Sequence, residues 1–193
     1  MYFKSLVRGA VSRGRFSKSE ILFILLERKK KVYGDKKRGI ILKQKIEPGK
    51  INKNTYLIDV NMFGLEKITS MFVVKGRKTA LIDGGTSSEA QEIIRSLKDF
   101  GLLPVDYIAI SHSHWDHHQA IPALLEEMSD KKVKLLAHPK AIPLLEDPSR
   151  VGYDFGTGSL LPIKDVKPIK EGDVVDLEGI KLKVIDTHGH TPD

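Results

Sequence analysis

Four of the seven histidines in this 193-residue chain fall between positions 112 and 118, in the run Ser111-His112-Ser113-His114-Trp115-Asp116-His117-His118. The ordered pattern inside that run is HxHxDH. In an extended segment, residues two apart project to the same side, so His112 and His114 can converge on one ion while Ser113 and Trp115 face the other way as packing and support. Asp116 and His117 follow at a turn toward the next helix, where they could reach a second ion close to the first. Imidazole and carboxylate are suitable zinc ligands. The chain has no cysteine, so any metal must sit on His, Asp or Glu. An HxH pair alone reads better as a solvated polar loop or an adventitious metal binder. The full ordered pattern, placed just beyond a buried strand, reads as a metal centre.

The elements that must position these residues are legible from periodicity and turn chemistry. From Asn54 onward short β-rich runs at 55–60, 68–74 and 79–82 are separated by Gly-containing turns, which predicts the start of a small mixed or antiparallel sheet. Ser88-Glu89-Ala90-Gln91 has the form of a capping box, and Ile93, Ile94, Leu97 and Phe100 make a helical apolar stripe closed by Gly101. Residues 106–111 read as a buried strand leading into the histidines, and 121–128 read as the helix that leaves them. A strand at 134–137 and a short helix at 140–145 come next. Residues 146–162 form a long loop of the kind that often borders a site. Residues 174–177 and 180–186 flank Glu178-Gly179 as a hairpin. Strands alternating with helices indicate an α/β layered domain.

Three stretches in order, Ala80-Leu81-Ile82-Asp83-Gly84-Gly85, then HxHxDH at 112–117, then Gly189-His190-Thr191-Pro192 after a strand, are similar to the metallo-β-lactamase superfamily over roughly residues 50–193. Within it the likeness is strongest to the small-substrate hydrolases that include glyoxalase II-like thioesterases and lactonases. The resemblance implies an αββα sandwich. It also implies that His112, His114 and His190 bind a first metal ion, that Asp116 and His117 contribute to a second, and that Asp83 supports the site from a strand end. The implied cofactor is zinc, as two ions in the intact protein, with iron or manganese also accepted by such ligands. Three neutral imidazoles leave zinc an open position and bring the pKa of its water to about 7, and Asp116 near that water could orient it or take its proton. His118 reads as a supporting or helix-start residue, His138 as structural, and His188 as a weaker ligand candidate than His190.

The family completes its site with a later aspartate and a later histidine. The resemblance therefore implies that residues 1–193 are the N-terminal half of the sandwich, with one sheet face lacking its partner layer and with weak or absent turnover. The leading expectation is a hydrolase of small esters, thioesters or lactones. A nuclease of the same superfamily and a non-catalytic, truncated metal-binding module are the alternatives.

The charge is unevenly spread. Of 32 Lys and Arg and 25 Asp and Glu, 14 and three lie in residues 1–45, leaving 18 and 22 in the remainder. The boundary is placed there: a basic extension over 1–45, with a short amphipathic helix expected between Ser19 and Tyr33, and a globular domain over 46–193. A basic head reads first as a solvated tail, and otherwise as a surface for nucleic acid or acidic membranes. Residues 1–18, Arg- and Ser-containing without acids, also have the look of a mitochondrial presequence, although the cytoplasm is the expected compartment. The apolar runs fall far short of the roughly 18 residues that a membrane-spanning helix needs. Partners are expected to be small-molecule substrates; nothing in the sequence sets the oligomeric state.

Overall fold

A computed structural model of the protein describes residues 20–22, 47–150, 160–187, 189 and 191–193. Among the described residues, seven strands form one sheet in the order β2-β3-β4-β5-β6-β7-β8. They are β2 (Gly49–Lys50), β3 (Thr55–Asp59), β4 (Ser70–Lys75), β5 (Thr79–Ile82), β6 (Tyr107–Ile110), β7 (Lys134–Ala137) and β8 (Lys167–Pro168). The first four pair antiparallel in sequence order. From β5 to β8 the pairing is parallel. A parallel pair needs a long crossover, and the helices supply it: α1 (Ala90–Asp99) between β5 and β6, α2 (Ile121–Glu127) between β6 and β7, and α3 (Ile142–Glu146) between β7 and β8.

Side chains alternate across a strand, and the two faces of the sheet build two cores. Leu81, Ile108, Ile110, Leu135 and Ala137 join Ile93, Ile94, Leu97, Ile121 and Leu124 from α1 and α2. Their sequence neighbours Ala80, Ile82, Ala109 and Leu136 point to the opposite face. There they meet Val175, Leu177, Ile180 and Leu182, from and around the hairpin of β9 (Val174–Asp176) and β10 (Lys181–Lys183). The chain can reverse there because Glu178 and Gly179 both take positive φ (54° and 116°), as a two-residue hairpin turn demands. The layer order is thus helix, sheet, sheet. The sheet face expected to lack a partner layer is covered in part by this hairpin.

Two local expectations are corrected. Glu20–Leu22 is a strand, β1, pairing parallel with β10, where a helix is expected between Ser19 and Tyr33. An open sheet edge offers hydrogen bonds that short-range helix propensity cannot match; residues 23–33 lie outside the described residues. The capping box at Ser88 does not form. Helix α1 begins two residues later, with Glu89 at its N-cap and no side-chain cap bond. The Glu89 carboxylate is taken instead by the hydroxyls of Thr86 and Ser88 and by the Phe63 amide. The other end of α1 closes as expected, with Gly101 at φ 62° and the Leu102 amide donating to the Leu97 carbonyl at 2.9 Å, which is a Schellman closure.

Candidate metal centre

The centre is built where β5 and β6 end side by side. Directly after β5, Asp83 takes the left-handed conformation (φ 67°), which Asp tolerates better than most residues. Its amide still donates to the Ala109 carbonyl at 2.8 Å. The buried carboxylate is thereby set against the end of β6. Asp83 Oδ1 accepts the Ser111 amide at 2.7 Å, while Oδ2 accepts the Ser111 hydroxyl at 2.9 Å and His117 Nδ1 at 2.7 Å. Burial by itself drives the Asp83 carboxyl up, but the charge and hydrogen bond of His117, with His112 and the Ser111 amide, outweigh it and the net direction is down. For His117 burial likewise opposes the proton, and Asp83 together with Asp116 overcomes it, so the ring is held above its ordinary value.

The histidines follow in an extended stretch that turns into a short 3-10 segment at Trp115–His117. The rings of His112 and His114 lie 4.7 Å apart between centroids, and those of His112 and His117 lie 4.2 Å apart. His117 Nε2 is 3.5 Å from Asp116 Oδ2, and His112 Nδ1 is 2.9 Å from the Ser111 hydroxyl. Thus His112, His114, Asp116 and His117 are brought together, with Asp83 behind them. His118 does not join that group. It is buried, its Nε2 donates to the Ser113 carbonyl at 3.1 Å, and burial pushes its pKa down; it braces the loop. His138 accepts the Lys140 amide on Nδ1 at 3.3 Å and serves the turn into α3. His188 and His190 lie outside the described residues.

Close backbone approach latches the loop to the end of β5. The Gly84 amide donates to the His117 carbonyl at 2.6 Å, and Gly85 accepts the Ala120 amide at 3.1 Å. A Cβ on Gly84 would sit 2.4 Å from Ile121 Cγ1, so only glycine lets the strand end pass beneath the start of α2. Two contributors carry no signal in the sequence. Ser111 stands there only as the start of the histidine run, and its hydroxyl between Asp83 and His112 has no signature in one dimension. Asp193 accepts the Ser113 amide at 2.8 Å, tying the segment after His190 to the loop between His112 and His114.

The donor chemistry fits divalent metal. A histidine whose Nδ1 proton is held by a carboxylate keeps its Nε2 lone pair for an ion, the usual support of a metal-binding imidazole. Among the described residues, no three His, Asp or Glu side chains close into a finished cage, and the expected third ligand His190 is not among those residues.

The model of the metallo-beta-lactamase superfamily matches residues 64–193, and the chain belongs to that superfamily. It is similar to a probable metallo-hydrolase of Methanocaldococcus jannaschii, 30% identical over 142 residues, which are 70% of this chain and 63% of that protein. It is also similar to an atrochrysone carboxyl ACP thioesterase of Aspergillus fumigatus, 25% identical over 71% of this chain but 28% of that protein. Among solved structures, a beta-lactamase from Chitinophaga pinensis aligns with a TM-score of 0.62 and 26% identity over 84% of this chain and 58% of that one. The subclass B3 enzyme BJP-1 of Bradyrhizobium japonicum, at 23% identity, shares the fold with a TM-score of 0.62 over 76% of this chain and 54% of that one. The chain spans about half to two thirds of the first two curated relatives it matches, 63% and 52% of their lengths.

Proposed function

We propose that this protein is a metal-dependent hydrolase of a small ester, thioester or lactone. Its first ion is held by His112, His114 and His190, and Asp116 and His117 contribute to a second. The observation that carries the reading is the convergence of the His112, His114 and His117 rings beside Asp116, with the His117 Nδ1 proton held on Asp83. Zinc bound there would act as a Lewis acid toward the substrate carbonyl and bring the pKa of water to about 7. The chain's own part would be to orient and to move a proton: Asp116 would accept the proton of the attacking water, and Asp83 would keep His117 in the tautomer that binds metal. Phe63, exposed and 6.3 Å from Trp115 between ring centroids, lies with exposed Leu65 and Ile68 on the β3–β4 connection. This apolar rim beside the histidine loop suits an acyl group. The thioesterase among the relatives supports that substrate class.

The test is hydrolysis by the full-length protein of a panel of thioesters and lactones, before and after chelation and after zinc is restored. Turnover that disappears with chelation and returns with zinc is expected. Asp116→Ala should lower kcat by about 10²–10⁴, the usual worth of a positioned base. Turnover indifferent to chelation sinks the reading. The basic segment 1–45 favours a nuclease as the second reading. It predicts salt-dependent cleavage of RNA or DNA that persists when that segment is deleted, whereas binding that vanishes with the segment marks tail adhesion.

A further inference from the structure

One buried carboxylate reaches the ligands of both expected ions, directly at His117 and through a hydroxyl at His112. Asp83 Oδ2 lies 2.7 Å from His117 Nδ1 and 2.9 Å from Ser111 Oγ, and Ser111 Oγ lies 2.9 Å from His112 Nδ1. A hydroxyl has one proton to give, and an ionised carboxylate can only accept. The Ser111 proton therefore lies toward Asp83, and the serine oxygen accepts from His112. His112 must then carry its ring proton on Nδ1, which makes Nε2 its lone-pair nitrogen. The opposite arrangement, with the serine proton toward His112, would leave two oxygens 2.9 Å apart with no proton between them in a buried site, where such repulsion is strong.

We propose that Ser111 is a positioning residue that relays the Asp83 carboxylate to His112, so that a single side chain fixes the tautomer and the orientation of one histidine at each ion. This rests on the metal-site reading above and adds a coupling between the two ions. Closing strand β6 onto β5 does not require the hydroxyl. The Ser111 amide already does so by donating to Asp83 Oδ1 at 2.7 Å, and any residue could supply an amide. Ala and Thr separate the two roles, because both keep the amide and only Thr keeps a hydroxyl on the same carbon.

The experiment compares the full-length protein with S111A and S111T in two readouts. Nitrogen-15 NMR of the imidazoles in the metal-free protein reports the tautomer of His112. Competition with a chromophoric chelator reports zinc affinity at each site. With the relay, His112 is the Nδ1–H tautomer in the wild type and in S111T and loses that preference in S111A. In addition, S111A loses about 10- to 100-fold in zinc affinity at one of two sites, the usual effect of removing an outer partner of a ligand, and S111T recovers most of it. An unchanged His112 tautomer in S111A, or an S111T protein as impaired as S111A, overturns the relay. A wild type that shows the tautomer signature but binds no zinc upholds the relay and overturns the hydrolase reading instead.

Discussion

Asp83 joins the end of β5 to both Ser111 and the histidine loop through its two carboxylate oxygens. It holds His117 Nδ1 at 2.7 Å, and Asp83→Asn keeps the shape while removing the charge. Zinc affinity should fall about 10- to 100-fold, read by chelator competition. The pair also sets a pH dependence in the metal-free protein. His117 is held above its ordinary value, so its contribution to stability is complete below about pH 6.5 and is lost as pH rises through the raised value. Asp83 is held below the carboxylate range, so its contribution is present above about pH 4 and is lost as pH falls through the lowered value. The Tm difference between wild type and Asp83→Asn, both metal-free, should therefore be widest between those limits and shrink on either side. On the proposed metal reading, zinc would also displace the proton that the charged ring carries on His117 Nε2, while the Nδ1 proton stays held on Asp83. Proton release on zinc binding, followed in lightly buffered solution, should decline as pH rises past the His117 titration; release that does not change with pH would contradict the assignment.

The strand ends hold these residues in place. Gly84 allows the end of β5 to pass under α2, and the 2.4 Å approach to Ile121 Cγ1 leaves no room for a methyl group. Gly84→Ala should cost about 1–3 kcal/mol by overpacking and weaken zinc binding as well, because the same residue's amide donates to the His117 carbonyl. A Tm unchanged by the substitution would show that the latch is dispensable. At the opposite ends of β5 and β6, Asp106 accepts the Thr79 amide on Oδ2 at 2.7 Å and pairs with Lys131 Nζ on Oδ1 at 2.9 Å. Its slight burial opposes ionisation, but these partners prevail and hold its pKa down, so this support is lost on acidification through the lowered value. Asp106→Ala should destabilise the protein by about 1–3 kcal/mol at neutral pH, and thermal melts should show the penalty shrinking in acid. Elements with long apolar stripes, such as α1, are legible in the sequence because burial of Ile93, Ile94 and Leu97 matches helical spacing. The capping box at Ser88 misleads because the Ser88 hydroxyl is spent on the adjacent Glu89 carboxylate, which also accepts from Thr86 and from the distant Phe63 amide.

Across the whole molecule, the seven-stranded sheet separates two cores of unequal size. The larger lies under α1 and α2. The smaller depends on the hairpin of β9 and β10, whose fully buried Leu177 and Leu182 face Val74, Ala80, Ile82 and Ala109. Leu177→Ala should cost about 2–5 kcal/mol, seen as a lower denaturant midpoint with an unchanged m-value. A negligible cost would mean that the hairpin rests on the sheet without bearing on its stability. Among the described residues no helix is long and apolar enough to cross a membrane. The division into a basic extension over 1–45 and a domain over 46–193 remains a proposal drawn from charge.

The sequence by itself determined the types and the short-range spacing of the expected ligands, and the strands and helices around them. His112, His114, Asp116 and His117 lie within six consecutive positions, and local backbone geometry suffices to put them in one loop. What only the tertiary structure decided is how that loop is held. Asp83 meets Ser111 across 28 positions and His117 across 34, and those contacts exist because β5 and β6 pair in parallel with Ala80 opposite Tyr107. Register is a collective outcome of burying alternate side chains on two faces. The hydroxyl of Ser111 becomes a link between Asp83 and His112 only after that register is set.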